Sequence, residues 1–236
     1  MFSGRPANPG RNRAVSDGEC EGSTTTMRIA DELLLLAIHP TGGRPVIGDA
    51  ELDLGLAGAI LADLVLSGRV ELTAGGVRPA AVTRPPAGDP ELDGAFAQIV
   101  RAPGARAARV ITALSGETLR LRLRNGLIGR GVLAEEEQWV LGVLTSSSHP
   151  ELNPAPRREI LARLDAALGG AVSDERTATL LAIAHACDLA RELFPKVPGL
   201  EKHIPVGWAA PAVAAAVAEM RAAAPAATPA RATPRS

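Results

Sequence analysis

Arginine is the residue type most able to do chemistry in this chain. Between Arg101 and Arg130 there are seven arginines (101, 106, 109, 120, 122, 124 and 130) and one acid, Glu117, a local charge of +6 within a net charge of −1. A guanidinium offers a planar fork of donors that grips phosphate or carboxylate oxygens bidentately, as a lysine cannot. If residues 116–129 form a helix, Arg120 and Arg124 stand one turn apart on one face, with Arg122 roughly opposite. These three are the candidate ligands for an anionic headgroup. A solvated helix face would also look like this, because all but Lys196 and Lys202 of the 25 basic residues are arginine. With so much Ala, Gly and Pro, that excess is what a GC-rich bacterial genome produces.

His185, Cys187 and Asp188 form a second cluster. Residues two apart on a helix point away from each other, so His185 and Cys187 cannot act as a base–nucleophile pair. His185 is expected to hydrogen-bond inside a bundle, with Asp188 a candidate partner, and Cys187 to be a small core residue. His39, His149 and His203 are scattered and each lies near a proline, which is not metal-ligand spacing, so no metal is expected. Gly42-Gly43 and Gly75-Gly76 lack the lysine and the pattern of nucleotide-binding loops and read as turns. No cofactor and no catalysis are expected.

Trp139, Val140, Leu141, Val143 and Leu144 make a nearly unbroken apolar strand after Glu135–Glu137. A strand with one wet face alternates, and this one does not. Either both faces are buried in the core, or the segment enters a bilayer or another subunit, where tryptophan favours the interface.

Helices must position these groups. Ala, Leu and Val dominate a 46% hydrophobic composition with 2% aromatics and no tyrosine. Ala and Leu are strong helix formers, so the expected fold is mainly α: a single-domain helical bundle with small β-hairpins. Residues 1–26 and 222–236 are rich in Pro, Thr, Gly and Ala and read as disordered tails around a domain at 27–221. Helices are expected at 27–39, at 49–67 (opened by Asp49 and closed by Gly68), and at 90–101, 104–114 and 116–129. Three more should lie at 154–170, 173–194 (N-capped by Ser173) and 207–223. Short strands are expected at 69–72 and 131–133, the latter pairing with the apolar strand from Trp139. TRPPAGDP at 83–90 breaks the chain.

The first 26 residues have no apolar core for a signal peptide, and no run approaches the ~20 apolar residues of a spanning helix. Cys20 and Cys187 make no disulfide framework. A cytoplasmic protein is expected, with any membrane contact peripheral.

Several segments, in order, resemble the Golgi phosphoprotein 3 family. They are Asp31-Glu32-Leu33-Leu34-Leu35-Leu36; LGLAGAILADLVLSGRVEL, with Gly55, Gly58, Leu61, Leu64, Gly68 and Arg69; Leu114–Thr118; GVL at 131–133 with its hairpin and Ser148-His149-Pro150; and LLAIAHACDLARELF. Together they run from about 27 to 220. The resemblance implies a helical bundle with small hairpins. It also implies peripheral membrane binding, in which eukaryotic members hold phosphatidylinositol 4-phosphate in a basic pocket, insert an apolar hairpin and carry glycosyltransferase tails. The family pocket uses a Trp and an Arg near the second helix and an Arg pair before the GVL strand. Those positions fall here on Gly48, Ala57, Glu117 and Arg120, so one of four is retained. The resemblance therefore implies a non-catalytic adaptor for anionic lipid in general, with headgroup choice relaxed. Such a monomer would bind weakly, so homo-oligomers are expected for avidity.

A helix–Gly–strand unit occurs twice, at LVLSGRVEL and NGLIGRGVL, and winged-helix domains use the same unit. A DNA-binding regulator is the alternative. However, the helix ending at Gly68 is apolar on every face, and the basic one offers only Asn125 to read bases. Nucleic acid is therefore not the expected partner.

Overall fold

The structure is a computed structural model. It describes residues 27–81, 85–140, 143–204 and 206–223, without the side chains of 137–147. In chain order the elements are α1 (Ile29–Ala37), α2 (Asp49–Leu66), β1 (Val70–Thr73), β2 (Gly76–Pro79), α3 (Pro90–Arg101), α4 (Ala107–Leu114) and α5 (Glu117–Gly129). There follow β3 (Glu136–Val140), β4 (Val143–Ser148), α6 (Ala155–Leu168), α7 (Glu175–Ala186), α8 (Leu189–Leu193), a 3₁₀ turn at Leu200–His203 and α9 (Ala209–Ala223). Each hairpin, β1–β2 and β3–β4, is a separate two-stranded antiparallel sheet. The fold is the mainly helical bundle expected. The N-terminal tail with Cys20, residues 224–236, Leu141 and part of the 83–90 break lie outside the described residues, while Ala222 and Ala223, expected in the C-terminal tail, end α9.

α1 forms because a leucine run follows two acids in its first turn, where the helix dipole favours negative charge. All nine of its residues are buried, so it is the axis of the bundle, with α2, α5, α6 and α7 packed around it. Each of Leu33–Leu36 is at most 1% exposed, and such burial contributes about 1.5–3 kcal/mol per side chain. Its buried acids are paired: Asp31 with Arg28 (2.9 Å) and Arg130 (3.0 Å), Glu32 with Arg163 (3.0 Å) and Arg176 (3.4 Å). The buried Asp63 carboxylate of α2 accepts from the Ile29 backbone N–H at 2.9 Å and pairs with Arg176 at 3.1 Å. Arg176 also donates to the Met27 carbonyl. At the other end, Arg157 of α6 donates to the carbonyls of Leu35 (2.6 Å), Leu36 (3.3 Å) and Ile38, groups an ending helix leaves without partners.

α2 is buried from Leu54 to Leu64 because small residues let its neighbours approach. A Cβ at Gly58 would lie 2.5 Å from Val213 of α9, and one at Gly55 would lie 3.2 Å from both Cys187 and Leu33. Gly68 ends the helix at φ +66°, donating to the Val65 carbonyl while Arg69 donates to that of Leu64. Its N-cap is Gly48, one residue before the Asp49 expected there.

Three other expectations change. The α7 N-cap is Asp174, whose side chain accepts from the Thr177 N–H, and not Ser173. The single helix expected at 173–194 breaks at Asp188, which takes φ +66°, giving α7 and α8. Residues 131–133 form no strand, only a bridge from Leu133 to Glu151. The apolar stretch from Trp139 folds back on itself instead, pairing Trp139 with Leu144 and Val140 with Val143. Paired in this way, each half satisfies the other's backbone groups, which a lone strand could not.

Candidate functional site: a basic pocket beneath a hairpin

α5 holds the central groups. Leu119, Leu123 and Leu127 form its buried stripe, which leaves the arginines on its flanks. Arg120 and Arg124 share one flank and line a cavity of about 220 Å³, together with Gly43, Pro45, Asp49 and Glu117. Arg122 lies on the other flank, with its Nε 2.7 Å from Glu91 of α3. Arg122 thus lies opposite the pair, as the helical spacing predicts, and although counted among the candidate headgroup ligands it does not line the cavity.

Two acids of α2 hold Arg120. Its guanidinium is 2.8 Å from Asp49 and 3.4 Å from Asp53 and is only 13% exposed. These acids are one helical turn apart, so a single side chain reaches both. Burial raises the Asp53 carboxyl above its usual value, the Arg120 charge opposes this, and Asp49 and Glu117 add to it. Arg124 is different. Among the described residues its enclosed Nε has no hydrogen-bond partner. Burial, followed by the like charge of Arg120, lowers this guanidinium from its ordinary value, with Glu135 and Glu117 offsetting part of the effect. An anion beside it would relieve both penalties.

The hairpin β3–β4 stands on this pocket. Gly43, at φ +64°, lies so close to the stem that a Cβ would be 2.2 Å from the His149 nitrogen and 2.7 Å from the Pro150 nitrogen. Glu151 donates to the Pro40 carbonyl and Ala134 to that of Pro150, tying the stem to the loop after α1. Buried His149 is pushed below its usual pKa by burial and then by Arg124. Trp139, Val140, Val143 and Leu144 are the last two pairs before the turn, so they occupy the hairpin tip. At about 3.3 Å per residue, the tip stands roughly 13–16 Å beyond the stem.

The Golgi phosphoprotein 3 (GPP34) family profile matches residues 29–231. The chain belongs to the Golgi phosphoprotein 3 family. Of the family pocket positions, Arg120 and Glu117 line the cavity. Gly48 is the exposed residue beside Asp49, and Ala57 is wholly buried within α2. Sequence reasoning missed Asp49 and Asp53 as partners of Arg120, and it took Gly43 for a plain turn. Acids four apart near the start of α2 were the available signal for the first. For the second there was none, because only the fold brings Gly43 against His149.

His185, Cys187 and Asp188 do not assemble. The His185 Nδ1 is buried without a partner among the described residues, and Asp188 accepts instead from Arg221 at 3.0 Å. The left-handed backbone of Asp188 turns its carboxylate toward α9, so the expected His185–Asp188 bond does not form. Cys187 is wholly enclosed, and burial pushes its thiol up to about 12.

Proposed function

We propose that this Golgi phosphoprotein 3 homologue is a non-catalytic, peripheral membrane-binding adaptor. An anionic lipid headgroup would sit at Arg124, while the apolar hairpin tip enters the interface of the bilayer. The observation that carries this reading is the half-buried Arg124, whose Nε is buried and unpartnered among the described residues, in a cavity at the foot of a hairpin with an apolar tip. A phosphate would supply the missing acceptor and oppose the like charge of Arg120.

Charge sets the expected selectivity. Arg120 and Arg124 share the cavity with Asp49 and Glu117, which leaves no net positive charge for a multiply charged headgroup. Lipids of one negative charge should therefore serve as well as a phosphoinositide. One available cation near an anionic surface contributes about 1 kcal/mol, and each apolar tip residue, partly buried, contributes less than its full ~1.5–3 kcal/mol. The tip thus supplies most of the binding, and homo-oligomers would multiply it. α2, the helix that a winged-helix reading would place on DNA, is buried, so no base-reading face supports that alternative. A cytoplasmic site of action is part of the proposal.

Vesicle flotation tests this. The full chain should float with phosphatidylglycerol, cardiolipin and phosphatidylinositol 4-phosphate vesicles alike, and several-fold more weakly with neutral ones. Trp139→Ser should weaken it most, and Arg124→Ala should weaken it by about fivefold, the ~1 kcal/mol of one cation. Arg120→Ala should be at least as damaging as Arg124→Ala, because it leaves Asp49, Asp53 and Glu117 facing the headgroup. Absence of flotation, or flotation indifferent to lipid charge, would sink the proposal.

A further inference from the structure

The arginine-rich stretch does not form one basic face. Arg120, Arg122 and Arg130 are tied to Asp49 and Asp53, to Glu91 and to Asp31. Among the described residues Arg101 and Arg109 enter no ion pair. Both are exposed, and both line a cavity of about 280 Å³ between α3 and α4. A second cavity of about 290 Å³ adjoins it, sharing Gln98 and Leu114, and ends at the mutually neutral Glu91–Arg122 pair. Together they make a groove along α3, roughly the ~18 Å length of a 12-residue helix. Its floor is apolar at the arginine end, where Ile99 (2% exposed) and Val110 (8%) lie, and more polar at the other, where Glu91, Gln98 and Arg122 surround Ile60 and Leu119.

We propose that this groove docks an extended segment of a partner protein in which an apolar side chain is followed by carboxylates. The apolar atoms are recessed below the rim, so a bilayer surface cannot reach them, whereas an inserted side chain can. Two uncompensated guanidiniums at one end call for negative charge, and carboxylates match their fork geometry. The other end is already neutralised and selects for no charge. The apolar side chain and the carboxylates next to it therefore seat at the Arg101–Arg109 end, and the rest of the segment runs toward Glu91 and Arg122. Its length accommodates about five or six extended residues. The site shares no lining residue with the lipid pocket, so it goes beyond the membrane reading and does not depend on it.

The test is a selection of random peptides displayed on phage against the immobilised full chain without vesicles. It runs in parallel on Arg101→Glu/Arg109→Glu and on Arg124→Ala. Wild type and Arg124→Ala should both enrich peptides with an apolar residue next to at least two Asp or Glu. The charge-reversed protein should lose them by about tenfold or more when the enriched peptides are synthesised and titrated. Both reversed positions are exposed, so its thermal unfolding should match wild type. Enrichment of basic peptides, equal binding by the charge-reversed protein, or no enrichment would overturn the proposal. So would sedimentation showing self-association that only the charge reversal abolishes, which would make a second copy the occupant. Loss in Arg124→Ala alone would return the binding to the lipid pocket and equally overturn it.

Discussion

Gly43→Ala tests whether the hairpin is seated as described. The position has φ +64°, and the added Cβ would meet only backbone: His149 N at 2.2 Å, His149 C at 2.6 Å and Pro150 N at 2.7 Å. A left-handed alanine costs roughly 1–2 kcal/mol. The stem would have to retreat by roughly 1 Å to restore ordinary contact, and overpacking of this kind costs about 1–3 kcal/mol. The expected loss is therefore about 2–5 kcal/mol, at or below the low end of the 5–15 kcal/mol typical of a whole domain. The variant should stay folded, with a lower urea midpoint and an unchanged m-value. Gly42→Ala is the control. Its Cβ would meet only the exposed His39 ring, at 3.3 Å, and it should cost within about 0.5 kcal/mol. Because the stem carries the tip, Gly43→Ala should also weaken vesicle flotation while Gly42→Ala does not. If the two variants denature at the same urea concentration, the packing of the stem on Gly43 is refuted.

Three further outcomes follow from the buried charges and the thiol. Asp63 has its carboxyl raised to about 6, chiefly by burial and against the pull of Arg176. A raised acid is penalised while ionised, so its contribution improves as pH falls through 6 toward its unfolded value near ~4. Urea denaturation at about pH 7 and pH 5 should show wild type gaining on Asp63→Asn by on the order of 1–2 kcal/mol as pH falls, and parallel pH profiles would refute this. Arg157→Ala strips partners from the last carbonyls of α1 and should cost about 3–5 kcal/mol in the same assay. Arg157→Lys should recover less than half, since one ammonium cannot reproduce the planar fork. Cys187, enclosed and with its thiol raised to about 12, should react with maleimide at pH ~8 only after unfolding, when followed in a Cys20→Ser background. Rapid native labelling would contradict its burial.

Much of the bundle was legible. α3 at 90–101 and the Gly68 stop were readable from Asp89-Pro90 and from a glycine after an apolar run, because capping and left-handed stops are local events. The break at Asp188 was not legible. LLAIAHACDLARELF has continuous helical periodicity and no Gly or Pro, so nothing local marks the left-handed Asp188 whose carboxylate meets Arg221 on α9. The hairpin register was missed for a related reason. Apolar residues on both sides of a turn look like one strand until each half is seen to pair with the other.

By itself the sequence determined the helical class, the family, the buried helices α1 and α2, and an excess of arginine between 101 and 130. These depend on composition, periodicity and local capping, which act within a few residues. The tertiary structure decided what each arginine does. It neutralised Arg120 with Asp49 and Asp53, placed Arg122 against Glu91, and spent Arg157 and Arg176 on the two ends of α1. It left Arg124 half-buried at a cavity, and Arg101 and Arg109 at the rim of a groove. A guanidinium's role is set by whatever lies within about 4 Å of it. For most of these side chains that neighbour is tens of residues away along the chain, where no local pattern can name it.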